Sequence, residues 1–168
     1  MNAESAIYLV QGLNLFTFVT IAVWFVVPRL KNLSRLNALI ALISVHLGRT
    51  LSLQIYSSQA AGMQVPNAFR DHVVVGDLAG WALSIIILFC LRYRSRFSVP
   101  LIWMLIAETV FDLGSGTLEA IRAGVMGSTS GTTWLIVAFY VPLMEVSLGP
   151  TVWQLLARRG EQYAAALR

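Results

Sequence analysis

Six ionisable side chains interrupt otherwise apolar stretches of this chain: His46, Arg49, Asp77, Glu108, Asp112 and Glu145. An ionisable group at the centre of a bilayer costs about 2.5–3.5 kcal/mol on insertion scales, so such groups pair, line a cavity or act on a substrate. His46 and Arg49 stand one turn apart and share a helix face, and Glu108 and Asp112, at i and i+4, share another. Two carboxylates that close in low dielectric do not readily ionise together, which leaves one of them a proton to give. Arg49 and Asp77 fall at matching depth on successive antiparallel segments, which predicts an ion pair. The chemistry on offer is general acid–base catalysis, proton movement or metal binding.

The elements that must position these groups follow from composition. The chain has 168 residues, 57% of them hydrophobic and 12% charged, against about 25% charged in ordinary soluble domains. Mean hydropathy is +0.72. Eight acids and twelve bases cannot cover a soluble surface, which excludes a soluble enzyme, a disordered chain and a zinc-finger-type module. The single Cys90 excludes an internal disulfide framework and a cysteine metal cage.

A bilayer core of about 30 Å needs about 20 apolar residues in a helix. Five stretches meet that length: Ile7–Val27, Leu36–Tyr56, Arg70–Leu91, Val99–Glu119 and Thr133–Leu156. The expected fold is therefore all-α, a single transmembrane domain over residues 1–168 built as a five-helix bundle. The first stretch lacks a basic leader and is followed directly by Pro28 and Arg29, so it reads as a retained anchor rather than a signal peptide. Basic residues gather between spans one and two (Arg29, Lys31, Arg35), between spans three and four (Arg92, Arg94, Arg96) and after span five (Arg158, Arg159, Arg168). That pattern is topological, not a nucleic-acid footprint, and it places the N-terminus outside and the C-terminus in the cytoplasm. The expected setting is a bacterial inner membrane, or the endoplasmic reticulum in a eukaryote. The segment Gly127–Gly131 reads as a flexible outer turn.

Depth at 1.5 Å per residue gathers the polar groups into one layer. His46 and Glu108 fall about 15 Å from the cytoplasmic side and Arg49, Asp77 and Asp112 about 20 Å, with Glu145 in the same band. Asn14 of the first span lies in the same band, so every helix contributes a polar group. Glu119 continues the Glu108–Asp112 face outward, and Trp81 shares a face with Asp77. His72 and Arg70 read as anchors or pocket-mouth residues at the outer interface.

Four chemistries fit in principle. A bis-histidine haem is opposed by depth, since His46 and His72 differ by about 12 Å along the membrane normal. A metal held by His46 with Asp77, Glu108, Asp112 and Glu145 would suit iron, manganese or zinc, but a second midplane histidine is missing. Proton- or ion-coupled transport would use the same residues, and five helices without an internal repeat would then call for a homo-oligomer. Cofactor-free acid–base chemistry on an apolar, lipid-like ligand is the fourth. A protonated carboxylate protonates an alkene, a neighbouring base takes a proton elsewhere, and an aromatic face such as Trp81 stabilises the cation.

Several segments resemble the EXPERA family, which includes the emopamil-binding sterol isomerases and the sigma-2-receptor-like proteins. Glu108-Thr-Val-Phe-Asp112, with Glu119 seven residues on, resembles that family's polar-x-x-x-Asp followed by a Glu near the helix end. Trp81-Ala-Leu-Ser84 running to Leu91-Arg92 and Arg96-Phe97 resembles its third-helix exit. His46 stands in the place of its catalytic-helix histidine. The chain departs from the family at Thr50, where the isomerases carry a Glu, at Asp77, which lies deeper than their third-span Glu, and at Glu145, the nearest match to their span-five Asn. The resemblance implies a cavity for a sterol- or terpenoid-like ligand and a metal-free carbon–carbon double-bond isomerase. In that reading Asp77 or Glu108 donates the proton, His46 accepts or relays it, Asp112 sets the acid's protonation and Arg49 orients Asp77. Trp81, Glu119, Glu145 and Asn14 complete the ligand-binding set.

Overall fold

The computed structural model describes residues 1–161, so Arg168 of the third basic cluster lies outside the described residues. These residues form no strand. Five helices are long and apolar enough to cross a membrane: α1 (Ala3–Lys31), α2 (Arg35–Ala60), α3 (Asn67–Arg92), α4 (Ser98–Ala123) and α5 (Gly131–Ala157). Each encloses one of the five predicted stretches and overruns it, because the backbone keeps its helical hydrogen bonds into polar flanks until a capping group ends them. The Asn2 side chain accepts from the Ser5 N–H at 2.7 Å, and the Ser34 hydroxyl accepts from the Asn37 N–H at 3.3 Å. Gly124, at φ 63°, ends α4 in the left-handed conformation that glycine adopts without a Cβ penalty.

α3 packs on α4 and on the middle of α2, while α5 joins α2 to the more peripheral α1. Two apolar clusters lie on either side of the polar layer. One contains Leu39, Ile43, Ile87, Leu91, Ile102, Leu105 and Leu155. The other, nearer the N-termini of α1 and α5, contains Ile7, Ala120, Val125, Met126 and Ala138, with Trp134 packed against it. The residues of the segment Gly127–Gly131 are exposed or half-buried, but the two that precede it are not. Val125 and Met126 are buried, because these two apolar residues fold back under α1 and roof that end of the bundle.

Three segments leave α geometry. α1 widens to a π-turn at Ala22–Val26, and α5 does the same at Ile136–Tyr140. Each π-turn is followed two residues later by a proline, Pro28 or Pro142, whose missing N–H frees the carbonyl four residues back. In α5 the freed carbonyl is that of Ala138, and Asn14 Nδ2 donates to it at 2.7 Å. Gln11 Nε2 donates to the adjacent Val137 carbonyl at 3.1 Å. These two amides fix the register of α1 against α5. The third departure is in α2, where Val45–Leu53 winds as a 3₁₀ helix for nine residues. Runs beyond three or four residues are uncommon, and side chains at i and i+3 eclipse in them.

At the opposite end of the bundle, Arg158 ties α5 to the α1–α2 turn. Its Nη1 donates to the Leu30 carbonyl at 3.2 Å and its Nη2 to the Leu33 carbonyl at 2.9 Å. Arg35 Nε donates to the Gln154 carbonyl at 3.3 Å. Basic residues that carry the topological signal thus also close helix ends.

Candidate functional site

The 3₁₀ winding lines up His46, Arg49 and Ser52, at a strict spacing of three, and all three are buried. Arg49 is completely enclosed, and every one of its guanidinium nitrogens is engaged. Nε donates to Asp77 Oδ1 at 2.9 Å. Nη1 and Nη2 grip Glu108 as a fork, at 2.6 Å to Oε2 and 3.0 Å to Oε1. Nη2 also donates to Asp112 Oδ2 at 2.6 Å, and Nη1 to the Thr109 hydroxyl at 3.2 Å. The predicted Arg49–Asp77 pair is present, but it is one spoke of a hub: α2 supplies the cation, α3 one carboxylate and α4 two. Bidentate arginine–carboxylate contacts are among the strongest hydrogen bonds proteins make.

Two glycines let the hub form. A Cβ at Gly80 would overlap the Arg49 guanidinium, and a Cβ at Gly76 would overlap the Asp112 carboxylate. Gly76-x-x-x-Gly80 is the small-residue spacing that permits close helix approach in apolar helices. Here it opens a slot for charged side chains. Sequence reading missed these glycines, although the spacing was available to find them. It also missed Tyr140, whose ring packs on Gly48 and whose hydroxyl donates to the Val45 carbonyl at 2.9 Å. No motif announces that residue.

Above the hub, towards the N-termini of α3 and α5, lies a cavity of about 140 Å³. Phe69, Val73 and Asp77 line it at i, i+4 and i+8 along α3, Asp112 and Gly116 from α4, Tyr140 and Met144 from α5, and Ser52 from α2. The Ser52 hydroxyl is buried without a hydrogen-bond partner. Asp77 and Asp112 therefore present to the cavity while one oxygen of each is held by the same guanidinium.

The remaining predicted site residues fall elsewhere. His46 is buried against α5, its Nε2 3.4 Å from the Ser147 hydroxyl and its Nδ1 without a partner. It forms no ion pair with a carboxylate, because the 3₁₀ segment stacks it beneath Arg49 and away from the cavity. Trp81 does not line the cavity, since it lies one turn past Asp77, beyond the floor formed by the hub. Glu108 bonds Arg49 but is absent from the lining. Asn14 serves the Ala138 carbonyl, a structural duty set by Pro142. Glu119 and His72 meet near the start of α3 and the end of α4, with Nδ1–Oε1 at 3.8 Å, and His72 Nε2 lies 3.0 Å from the Ser115 hydroxyl. Glu145 faces a separate groove between α1 and α5. The His/carboxylate metal constellation does not assemble: among the described residues no three His, Cys, Asp or Glu side chains meet as a metal site requires. Asp77, Glu108 and Asp112 converge instead on a guanidinium, which stands where a metal cation would.

Fold and site together define an all-α protein of five long apolar helices built round a buried arginine–carboxylate hub. The chain belongs to the family described as Domain of unknown function (DUF8737), whose family model matches residues 6–156. No curated protein and no solved structure is found similar to it.

Proposed function

We propose that this is an integral membrane protein, N-terminus outside and C-terminus cytoplasmic, in a bacterial inner membrane, that binds an apolar sterol- or terpenoid-like ligand in the cavity above Arg49. The helices carry large apolar side chains on their outer surface, among them Phe16, Trp24, Phe111 and Phe89, in patches that soluble monomers rarely expose. The basic clusters support that orientation. We read the chain as a distant relative of the EXPERA family on the same grounds as before.

One observation carries the functional reading. Two carboxylates, Asp77 and Asp112, face an apolar cavity while anchored to one guanidinium. With Glu108, whose two oxygens both accept from the guanidinium, there are three carboxylates to one cation, and in low dielectric one proton shared by Asp77 and Asp112 reduces the surplus charge. A carboxylic acid beside a carboxylate at the end of an apolar cavity is equipped for carbon–carbon double-bond isomerisation. Asp77 delivers its proton to one alkene carbon, the resulting cation is shielded by the faces of Phe69 and Tyr140, and Asp112 removes a proton from a neighbouring carbon. Asp112 then gives that proton up to solvent and Asp77 takes one from solvent, so the pair ends as it began and each product carries one solvent-derived hydrogen. Asp77 and Asp112 replace Glu108 and His46 in these roles because they alone of the four reach the cavity. Its volume resembles that of an engineered cavity of about 150 Å³ that holds benzene, so it admits one ring or a chain end, and the rest of the ligand lies outside it.

The test is turnover of sterol and terpenoid alkenes in deuterium oxide. Wild-type protein is expected to place a single deuterium in the shifted product, and Asp77→Asn and Asp112→Asn to abolish incorporation while keeping the helical spectrum. Product formed without deuterium, or unaffected by both substitutions, refutes the reading.

A second reading, proton-coupled transport, is favoured by one feature. Glu119, His72 and Ser115 form a polar seam along α3 and α4 that ends on the Asp112 carbonyl, to which the Ser115 hydroxyl donates at 3.3 Å. It predicts flux driven by a pH gradient in liposomes, which the isomerase would not show.

A further inference from the structure

The α1–α5 groove is separate from the hub and several times larger than the cavity above it. It measures about 510 Å³, within the range of about 300–1,000 Å³ typical of small-molecule sites. Leu15, Val19, Val23 and Val27 line it from α1, and Gly149, Pro150 and Trp153 from α5. Two charged residues interrupt this lining, Glu145 in its depth and Lys31 at its rim. Neither side chain has a hydrogen-bond or ion-pair partner among the described residues.

The register sets their separation. Asn14 meets Ala138, and α1 and α5 run parallel, so Glu145 lies level with Ile21. Lys31 lies ten residues further along α1, about 15 Å away. The groove therefore offers a cation at one end, an apolar wall, and a lone carboxyl group about 15 Å along it. An intramembrane carboxyl without an internal partner marks a place for an external one. A hydroxyl meets that need whichever protonation state Glu145 adopts, because it both donates and accepts.

We propose that this groove is a binding site for a long-chain carboxylate bearing a mid-chain hydroxyl. Its head group pairs with Lys31, its chain lies along Leu15–Val27, and its hydroxyl bonds Glu145. The site is independent of the hub chemistry and stands or falls without it.

Ricinoleate and oleate, which differ by one mid-chain hydroxyl, are the probes. Equilibrium binding of each is measured on the full chain in zwitterionic nanodiscs. Wild-type protein is expected to prefer ricinoleate by about tenfold, the worth of one hydrogen bond to a charged or strongly polar partner. Glu145→Leu should bring the ratio to one while oleate binding persists, and Glu145→Gln, which still hydrogen-bonds, should keep most of the preference. Lys31→Gln should weaken both probes by the same factor. Gly149 lines the groove and has open space for a Cβ, so Gly149→Leu puts a bulky side chain there and should block both probes while the helical spectrum and Tm stay near wild type. Asp77→Asn should change neither affinity. Equal wild-type affinities for the two probes overturn the proposal. So does a preference that survives Glu145→Leu, or binding that survives Gly149→Leu.

Discussion

Gly80→Ala should destabilise this protein, whereas the same change at Gly114 should stabilise it. Both glycines sit inside long helices, where alanine is favoured by about 1 kcal/mol. At Gly114 a Cβ meets nothing within 4 Å, so that gain is realised and Tm rises by about 2–4 °C. At Gly80 the Cβ falls on the Arg49 guanidinium. Arginine side chains are flexible, but this one can withdraw only by giving up bonds to Asp77 at Nε and to Glu108 and Thr109 at Nη1. Hydrogen bonds to charged groups are worth about 1.5–3 kcal/mol each. Losing one or two of them outweighs the helical gain and leaves a net loss of about 1–3 kcal/mol, the usual range for overpacking. Tm in detergent, followed by far-UV circular dichroism, should fall by about 2–12 °C. In an Arg49→Leu background the penalty at Gly80 should largely vanish, as a double-mutant cycle would reveal. A rise in Tm for Gly80→Ala in the wild-type background would refute the reasoning, because the guanidinium would then have room to move.

Other expectations follow from the same geometry. Asn14→Leu leaves the Ala138 carbonyl beside Pro142 without its donor and should cost about 1–3 kcal/mol, seen as a lower Tm and faster amide exchange in the middle of α5. His46→Leu removes a buried ring whose Nδ1 has no partner, so Tm and deuterium incorporation should stay near wild type; loss of turnover with intact folding would restore His46 to the chemistry. Glu161 lies beyond α5, and the hydrogen bond from Arg158 holds its carboxyl below the usual range. Its folded value is depressed, so its contribution is present at neutral pH and lost as pH falls through that value. The Tm difference between wild type and Glu161→Gln should therefore shrink towards zero under acid conditions, and a difference that grows on acidification would contradict the assignment.

Much of the fold is legible in the sequence because bilayer thickness imposes a length. Five apolar runs near 20 residues leave little choice of element, and each run falls inside one observed helix. The polar layer was legible too, since depth along a helix is simple arithmetic. Which members of that layer meet was not. Depth gives one coordinate and leaves rotation about each helix axis open. His46, Arg49, Asp77, Glu108 and Trp81 all lie within a few turns of one another in depth. Only Arg49 and Asp77, with Glu108 and Asp112, turn towards a common point.

Rotation was decided by features that act only once the helices pack. The 3₁₀ stretch of α2 brings Arg49 and Ser52 into line with His46, where α geometry would have fanned them apart. The Gly76–Gly80 slot admits the guanidinium and the Asp112 carboxylate, and that places the floor of the cavity one turn short of Trp81. The proline at 142 frees a carbonyl to which Asn14 donates, and that ties the Asn14 side chain to the α1–α5 contact. The sequence by itself determined five apolar helices, the pattern of their basic ends and a band of ionisable groups near mid-depth, because these depend on composition and on distance along the chain. The tertiary structure alone decided that one arginine gathers three carboxylates, that two of them face a cavity, and that Glu145 faces a groove of its own. Those outcomes depend on helix rotation and close approach, which side-chain volume and hydrogen-bond satisfaction settle only when all five helices are in place.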